Sequence, residues 1–424
     1  MQASLRLLGR RRFLPLFATQ FLGAFNDNLF RNAMVIQVIF RIYQDPAKEA
    51  TFGAVAGALF ILPFFLFSAL AGQLADTTDK ARIVRIVKSA EIAIMIFGAA
   101  GLLLPNIPLM LAALFAMGVH STFFGPIKYA ILPQHLPPDE VLGGTGLVEA
   151  GTYGAILAGT IVGGIIPTEW AAAGVLATAV VGRLTGGQVP PAPPEPDAPP
   201  ATKMDWHIIR ASIRLVSGTM HIPRLFLAII AISFFWSQGA ILAAQFPPLV
   251  KNVLGADQQV ATAFLAIFSI GVAIGSIVIN RLLQGKVSAK FAPGSALVMG
   301  LFVTDLYLNV RGWQVAAGPP VGLIDFLYIA KAERVMFDLL GVAIAGGMFV
   351  VPLYAFLTTT VSKAETARTV AANNIVNSGA MVLSALLLAG LVALGVSVAE
   401  TLLMVAVASL GAAAIAWRLH KACD

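Results

Sequence analysis

Four ionisable side chains stand inside long apolar runs of this 424-residue chain. Asp27 and Arg31 lie in the first run, Lys128 in the fourth and Glu149 in the fifth. Because Asp27 and Arg31 are four residues apart, they share one face of a helix. A charge at the centre of a membrane helix costs about 2.5–3.5 kcal/mol on insertion scales, so these residues are functional candidates. Together they could bind a zwitterion, with the two cations at a phosphate and the two carboxylates at an ammonium.

A structural role is the alternative for these four residues. Their formal charges cancel, so a buried network that only holds the first half of the chain together fits them as well. Lys128 lies within about one turn of the end of its run and could reach water by snorkelling. Asp27 lies near the middle of its run and could not. The sequence leaves both interpretations open.

The second half of the chain has an aromatic and apolar character instead. Its first apolar run contains Phe234, Phe235 and Trp236, and the half offers no charge cluster like that of the first. Such aromatic residues most often serve packing. A charged first half and an apolar second half would nevertheless suit an amphiphile, which has a polar head and a hydrocarbon chain. Asp305 and Asp338 are left without a predicted role.

The composition requires lipid as the solvent for most of the chain. Hydrophobic residues make up 58% of it and charged residues 12%, about half the share found in soluble domains. Apolar runs of roughly 20 residues predict twelve transmembrane helices and an all-α integral membrane protein. The runs are 13–40, 52–75, 82–104, 107–132, 142–166, 169–183, 224–250, 258–283, 290–309, 335–357, 369–394 and 398–417. The net charge of +7 is spread over short loops and Cys423 is the only cysteine, so we expect no nucleic-acid partner, metal or cofactor.

Loop charges predict which helix ends lie in the cytoplasm. With both termini inside, twenty Lys and Arg residues, Lys88 among them, fall on the cytoplasmic side and six on the other. Positive residues are retained on the cytoplasmic side, and shifting the helix count by one would mix the two sets. The charge pattern therefore supports twelve helices and cytoplasmic termini.

A proline-rich segment divides the chain. Seven prolines between Pro190 and Pro200 predict an extended linker that cannot span a membrane. Apolar residues then recur at helical spacing from Trp206 to Met220, which predicts an amphipathic helix on the cytoplasmic membrane surface. We expect a six-helix bundle over residues 1–184, the linker and surface helix over 185–223, and a second six-helix bundle over 224–424.

The turn between the second and third predicted helices carries the most specific local motif. Residues 72–82 read Gly-Gln-Leu-Ala-Asp-Thr-Thr-Asp-Lys-Ala-Arg, which resembles the signature of major facilitator transporters. Gly72 would permit close helix contact, and Asp76 could face a helix N-terminus or a basic residue. An ordinary polar turn is the alternative. The resemblance implies a major facilitator fold, with a conformational switch formed by Gly72, Asp76, Asp79, Lys80 and Arg82.

Three further segments resemble the bacterial lysophospholipid transporter family (LplT-type) of major facilitators. They are residues 20–28 (Gln-Phe-Leu-Gly-Ala-Phe-Asn-Asp-Asn), 125–132 (Gly-Pro-Ile-Lys-Tyr-Ala-Ile-Leu) and 146–150 (Gly-Leu-Val-Glu-Ala). They occur in the family's order, and the resemblance covers essentially the whole chain. It implies head-group contacts at Asp27, Lys128 and Glu149, to which we add the neighbouring Arg31, Asn26, Asn28 and Tyr129.

The resemblance also implies a function. Members of that family flip lysophospholipids such as lysophosphatidylethanolamine from the outer to the inner leaflet of the bacterial cytoplasmic (inner) membrane. A cytoplasmic acyltransferase/acyl-ACP synthetase then reacylates them. The chain would therefore be a transporter and not an enzyme, working by alternating access with lateral entry of lipid, and that acyltransferase would be a possible partner.

Two features depart from the family. Family members often carry an arginine in the seventh helix, where residues 239–245 here read Gly-Ala-Ile-Leu-Ala-Ala-Gln, so no charged contact transfers to the second half. The acyltransferase that is fused to many relatives is not expected here, because none of the five histidines is followed by Asp five residues later.

Two other functions stay open on the sequence alone. A proton-coupled exporter of amphipathic drugs would use Asp27 or Glu149 to carry the proton. A non-transporting scaffold for a lipid-remodelling enzyme would bind partners and move no substrate.

Overall fold

A computed structural model of the chain describes residues 6–194, 205–283, 288–314, 318–360 and 363–423, at some positions by the backbone alone. Twelve helices of 20 or more residues form most of this part of the chain, and we number them α1 to α12. They are Leu14–Gln37, Pro46–Thr77, Lys80–Leu103, Ile107–Ala130, Pro138–Ile165, Thr168–Gly187, Pro223–Asn252, Gln258–Leu283, Ala292–Arg311, Ala332–Thr359, Lys363–Ala393 and Val398–Cys423. Their ends agree with the expected spans to within about six residues.

Nine of the described helices, α2 to α4 and α7 to α12, are long and apolar enough to cross a membrane by length and composition. The other three long helices are α1, α5 and α6. Polar residues such as Asn26, Asp27 and Arg31 interrupt the apolar sequence of α1, and in α5 the apolar part is Gly154–Ile165. The chain is therefore a multi-pass membrane protein, as its composition predicts.

The described chain groups into two compact units. The first consists of Met1–Gln37 with Leu62–Ser212, and the second of Val38–Ile61 with Ile213–Asp424. The second unit thus includes the first half of α2, which the expected division at residues 184 and 224 does not foresee. The boundaries of the two six-helix bundles themselves stay a prediction.

Lys251, near the end of α7, explains why Val38–Ile61 belongs to the second unit. Its ammonium donates to the carbonyl oxygens of Ile39 at 2.5 Å and Tyr43 at 2.8 Å. It also lies 2.5 Å from a carboxylate oxygen of Glu49, a residue that is fully buried. A cation at carbonyl groups that end a helical turn is electrostatically favourable, so Lys251 holds the loop after α1 and the start of α2 against α7.

In the first unit, α1 packs directly on α5 through small residues. A Cβ atom added at Gly159 would lie 2.4 Å from the carbonyl oxygen of Phe25, and one at Gly163 would lie 2.5 Å from that of Leu29. Only glycine leaves room for the backbones to approach this closely, which is the way membrane helices associate without a hydrophobic driving force. This packing fixes the helix that carries Asp27.

In the second unit, the aromatic residues of α7 serve packing. Phe235 contacts Trp236 edge-on, and the indole nitrogen of Trp236 donates to the hydroxyl of Tyr354 on α10 at 2.8 Å. Leu225, Ile229 and Phe235 belong to one buried cluster with residues of α10 and α12. Their packing role agrees with the interpretation of aromatic residues at helical spacing.

The predicted amphipathic helix spans Ile208–Met220. Ile209 and Ile213 on this helix, and Trp206 just before it, are 68%, 61% and 71% exposed. The backbone N–H of Asp205 donates to the side chain of Gln73 at 2.8 Å, which ties the start of the segment to the end of α2. An exposed apolar face with basic residues beside it is typical of a helix that lies on a membrane surface.

We predict that Gly159→Ala destabilises the protein although alanine favours helices over glycine by about 1 kcal/mol. The added methyl group meets a backbone oxygen that cannot rotate away, and overpacking of this kind costs about 1–3 kcal/mol. Gly154→Ala is the matched control, because no described atom lies within 4 Å of a Cβ at Gly154. Thermal unfolding in detergent should show a lower midpoint for Gly159→Ala alone, and equal midpoints would contradict the close approach.

Candidate functional site

Glu91 on α3 is the centre of a buried polar network in the first unit. It is 1% exposed, and its two carboxylate oxygens have different partners. Oε2 lies 2.6 Å from the ammonium of Lys88, while Oε1 accepts the amide of Asn26 at 2.8 Å. The Nε2 atom of His120, on α4, lies 3.3 Å from Oε2. Three helices thus direct polar groups at one carboxylate.

Lys88 is fully buried although it carries a charge. Its ammonium lies 5.3 Å from the centre of the Phe124 ring, a cation–π contact. A Cβ atom at Gly23 would lie 2.8 Å from the same ammonium, so only glycine leaves space for it on α1. Burying an ammonium is tolerable when a carboxylate pairs with it, and Glu91 is that partner.

Asp27 is joined to this network through Ser121. The hydroxyl of Ser121 donates to Asp27 Oδ2 at 2.5 Å, and its oxygen lies 3.4 Å from His120 Nδ1. The other carboxylate oxygen of Asp27, Oδ1, is buried and accepts no hydrogen bond from the described residues. A buried acceptor without a partner is costly, so the site suits a donor that the described residues do not supply.

Lys128 belongs to a second polar group on the other side of Asp27. Its ammonium lies 3.4 Å from the hydroxyl of Thr152 on α5, and that hydroxyl donates to Gln20 on α1 at 2.7 Å. Gln20 precedes Asp27 by seven residues, about 10 Å along the helix axis. Lys128 therefore approaches α1 from another helix, about two turns from Asp27.

Three further predicted head-group residues, Asn26, Asn28 and Arg31, lie on α1. Asn26 is fully buried and donates its amide to Glu91, so it stabilises the network. Asn28 donates to the carbonyl of Ala24 in its own helix at 2.8 Å. Arg31 lies one turn beyond Asp27 on the same helix. The side chains of Tyr129 and Glu149 lie outside the described residues, so their contacts stay predictions.

Sequence reasoning missed two charges that are almost completely buried, Lys88 and Glu91. The loop-charge count included Lys88 among the charges on the cytoplasmic side, but Lys88 lies inside α3 and its side chain reaches no solvent. Glu91 had no predicted role. The signal was present nevertheless, since Lys88 and Glu91 are three residues apart within the expected third span, like the Asp27–Arg31 pair that the sequence did single out.

The turn between α2 and α3 is held by Asp79. Its Oδ1 accepts the backbone N–H of Ala81 at 2.9 Å, which caps α3, and that of Ala192 at 3.0 Å. Lys80 N–H donates in turn to the carbonyl of Ala192 at 3.0 Å. Burial alone would raise the pKa of Asp79, but these backbone donors, with Arg85 nearby, lower it below its usual range.

The other residues of the predicted switch differ in their surroundings. No described atom lies within 4 Å of a Cβ built at Gly72, so the close helix contact expected there stays a prediction. Lys80 is 6% exposed, and Arg82 is exposed. The side chain of Asp76 lies outside the described residues. Asp79 is the residue seen at a helix N-terminus, and the role of Asp76 stays a prediction.

The fold and the motif agree with a known family. A family model described as Major Facilitator Superfamily matches residues 16–385, most of the chain. The chain belongs to the Major Facilitator Superfamily. The family is one of transporters, so the chain is a transporter and not an enzyme, and the expected all-helical membrane fold is confirmed.

Curated relatives and solved structures extend this likeness. The chain is 26% identical to the lysophospholipid transporter LplT of Citrobacter koseri, over 91% of this chain and 88% of the relative. It is 25% identical to the LplT of an Enterobacter species, over 82% and 81%. A bacterial homologue of the human lysosomal transporter Spinster, in an inward-facing conformation, has a TM-score of 0.67 at 14% identity, covering 97% of each chain. A D-xylose–proton symporter has a TM-score of 0.69 at 13% identity, covering 96% and 97%. At such identities the structures show the fold alone.

We predict that Lys88→Met destabilises the protein strongly, because it leaves Glu91 buried without its closest cation. Breaking a buried ion pair in this way costs about 3–5 kcal/mol. The double variant Lys88→Met with Glu91→Met removes both charges and should unfold closer to wild type. Unfolding in detergent of Lys88→Met, Glu91→Met and the double variant forms a double-mutant cycle, and additive losses would show that the pair does not interact.

We predict that Asp79→Ala lowers the unfolding free energy by about 1–2 kcal/mol, the range for a lost helix cap. Because the folded-state pKa of Asp79 is lowered, its ionised form stabilises fully above the unfolded-state pKa of about 3.9 and this stability is lost as the pH falls through the folded value. Asp79→Asn keeps an acceptor for the backbone donors and should lose less at pH 7. Unfolding at pH 7 and at low pH checks this, and an unchanged pH dependence in Asp79→Asn would contradict it.

Proposed function

We propose that this transporter moves lysophospholipids across the bacterial inner membrane and that Asp27 receives the ammonium of the head group. The observation that carries the proposal is the buried Oδ1 atom of Asp27, which has no hydrogen-bond partner among the described residues. An ammonium group would supply both the missing donor and the opposite charge. The relatives named as lysophospholipid transporters support the choice of substrate class.

The cations around Asp27 suit the phosphate of the same head group. Arg31 follows Asp27 by one turn, about 6 Å along α1, and Lys128 approaches α1 from the opposite direction through Thr152 and Gln20. A phosphate beside the ammonium would therefore meet a guanidinium or an ammonium on either side. Glu149 and Tyr129, which the family resemblance implies, belong to this proposal as further head-group contacts.

The remaining features of the proposal concern direction and motion. The loop charges favour cytoplasmic termini. The family resemblance implies movement from the outer to the inner leaflet, lateral entry of lipid and reacylation by a cytoplasmic acyltransferase. The aromatic, apolar second half suits the acyl chain. Gly72, Asp76, Asp79, Lys80 and Arg82 would form the switch for alternating access, with the Asp79 contacts to Ala81 and Ala192 made and broken as the turn moves.

We predict that Asp27→Asn and Lys128→Ala lose at least about 90% of the transport of labelled lysophosphatidylethanolamine in proteoliposomes, since a lost charged contact costs about 1.5–3 kcal/mol. Asp45→Asn is the matched control: Asp45 is about half exposed, and its 3.9 Å pair with Lys48 contributes little. It should transport like wild type.

The outcomes separate the proposals. Transport by wild type with loss in both site variants, all three variants being folded, supports the head-group site. Equal transport by all variants would mean that the charges are structural. If wild type moves no lysophospholipid but exports an amphipathic drug against a proton gradient, the proposed substrate is wrong, and movement of neither with partner binding would favour a scaffold.

A further inference from the structure

His120 stands between the two buried carboxylates of the first unit. Its Nε2 atom lies 3.3 Å from Glu91 Oε2, an ion-pair contact without hydrogen-bond alignment, and its Nδ1 atom lies 3.4 Å from the hydroxyl oxygen of Ser121. Ser121 donates to Asp27 at 2.5 Å. The imidazole is 5% exposed and stacks on the ring of Phe124. A single histidine thus connects the buried ion pair with the proposed ammonium site.

The hydrogen atoms in this chain of contacts can be counted. Ser121 has one hydroxyl hydrogen, and its short contact with Asp27 uses it. The hydroxyl oxygen can then only accept from His120 Nδ1, which must carry a hydrogen. Nε2 faces the carboxylate of Glu91, which is favourable when Nε2 carries a hydrogen too. Both contacts are met together when His120 is an imidazolium, protonated on both nitrogens.

A neutral His120 would change the partner of Ser121. An imidazole with its one hydrogen on Nε2, toward Glu91, has an acceptor at Nδ1. Nδ1 then competes with Asp27 for the hydroxyl hydrogen of Ser121. When the hydroxyl turns to Nδ1, both carboxylate oxygens of Asp27 become available to a cation.

We propose that binding of the ammonium head group at Asp27 is coupled to the release of one proton from His120, an inference that rests on the proposed function. The proton leaves Nδ1 for water, the hydroxyl of Ser121 turns from Asp27 to Nδ1, and the ammonium of the substrate takes its place at the carboxylate. One positive charge leaves the site as another arrives, so its net charge is unchanged.

The electrostatics act in the same direction. The charged groups that face His120 are Asp27 on α1, with Arg31 one turn beyond it, and Lys88 and Glu91 on α3. The short helix Leu132–His135 also contacts α4, but its titratable residue, His135, lies beyond the end of α4. The described part of α2 contacts α4 through the uncharged Phe67. An imidazolium within this low-dielectric group repels an incoming ammonium, and its deprotonation removes that repulsion. Affinity for the head group should therefore rise with pH.

The test is the pH dependence of KM for labelled lysophosphatidylethanolamine in proteoliposomes with the same pH on both sides. In wild type we expect KM to fall about fivefold or more between pH 6 and pH 8, the scale of a coupled binding equilibrium. His120→Gln cannot titrate and should show the same KM at both values. His207→Gln, which changes an exposed histidine before the surface helix, should keep the wild-type dependence.

Three results would overturn the inference. A wild-type KM that is equal at pH 6 and pH 8 excludes a coupled proton. A pH dependence that persists in His120→Gln assigns the proton to another group, such as Asp27 itself. Ser121→Ala removes one oxygen atom only and serves if His120→Gln does not fold. Its KM at pH 6 should fall roughly twofold or more, toward the pH 8 value. An unchanged or higher KM contradicts the competition for the hydroxyl hydrogen.

If wild type moves no lysophospholipid at either pH, the proposed function fails and this inference with it. Transport without pH dependence removes this inference alone.

Discussion

Two opposite charges lie side by side in the interior of the first unit, where the ammonium of Lys88 is 2.6 Å from Glu91 and neither side chain reaches solvent. Removing both groups from water costs more than their attraction alone returns, so the surroundings must supply further contacts. Asn26 and His120 contribute polar contacts to Glu91, while Phe124 and the absent side chain of Gly23 accommodate Lys88. The positions of α1, α3 and α4 in this unit depend on satisfying that pair.

The ion pair also decides which carboxylate is available for chemistry. Both carboxylate oxygens of Glu91 contact polar groups of the chain. Asp27, in contrast, accepts one hydrogen bond from Ser121, and its second oxygen has no described donor. The structural and the functional interpretations of the buried charges are therefore both needed, but for different residues. A network that is satisfied at Glu91 and incomplete at Asp27 holds the incomplete part rigidly in place, which lowers the entropic cost of binding a cation there.

In the turn between α2 and α3, a carboxylate again accepts several hydrogen bonds, here at a helix end. Asp79 accepts backbone hydrogen bonds from α3 and from Ala192, and Gln134 and His135 contact the carbonyls of Pro193 and Pro191. The start of the proline-rich segment is thus fixed, because its carbonyl groups cannot pair with one another in an extended chain and find side-chain donors instead. The turn that carries the predicted switch motif therefore fixes the path of the chain after α6.

The sequence by itself determined the solvent, the helices and much of the site. Few charges and apolar runs of membrane length require lipid and predict helix ends closely, because each helix forms its hydrogen bonds within its own segment. Asp27 was identifiable as a charge deep in a span. Only the tertiary structure decided that Lys88, eight residues after the start of α3, is buried and not exposed to solvent, since α1 and α6 cover that turn. It alone also joined Asn26, Glu91, His120 and Ser121, because residues on different helices meet through packing that no spacing along one helix encodes.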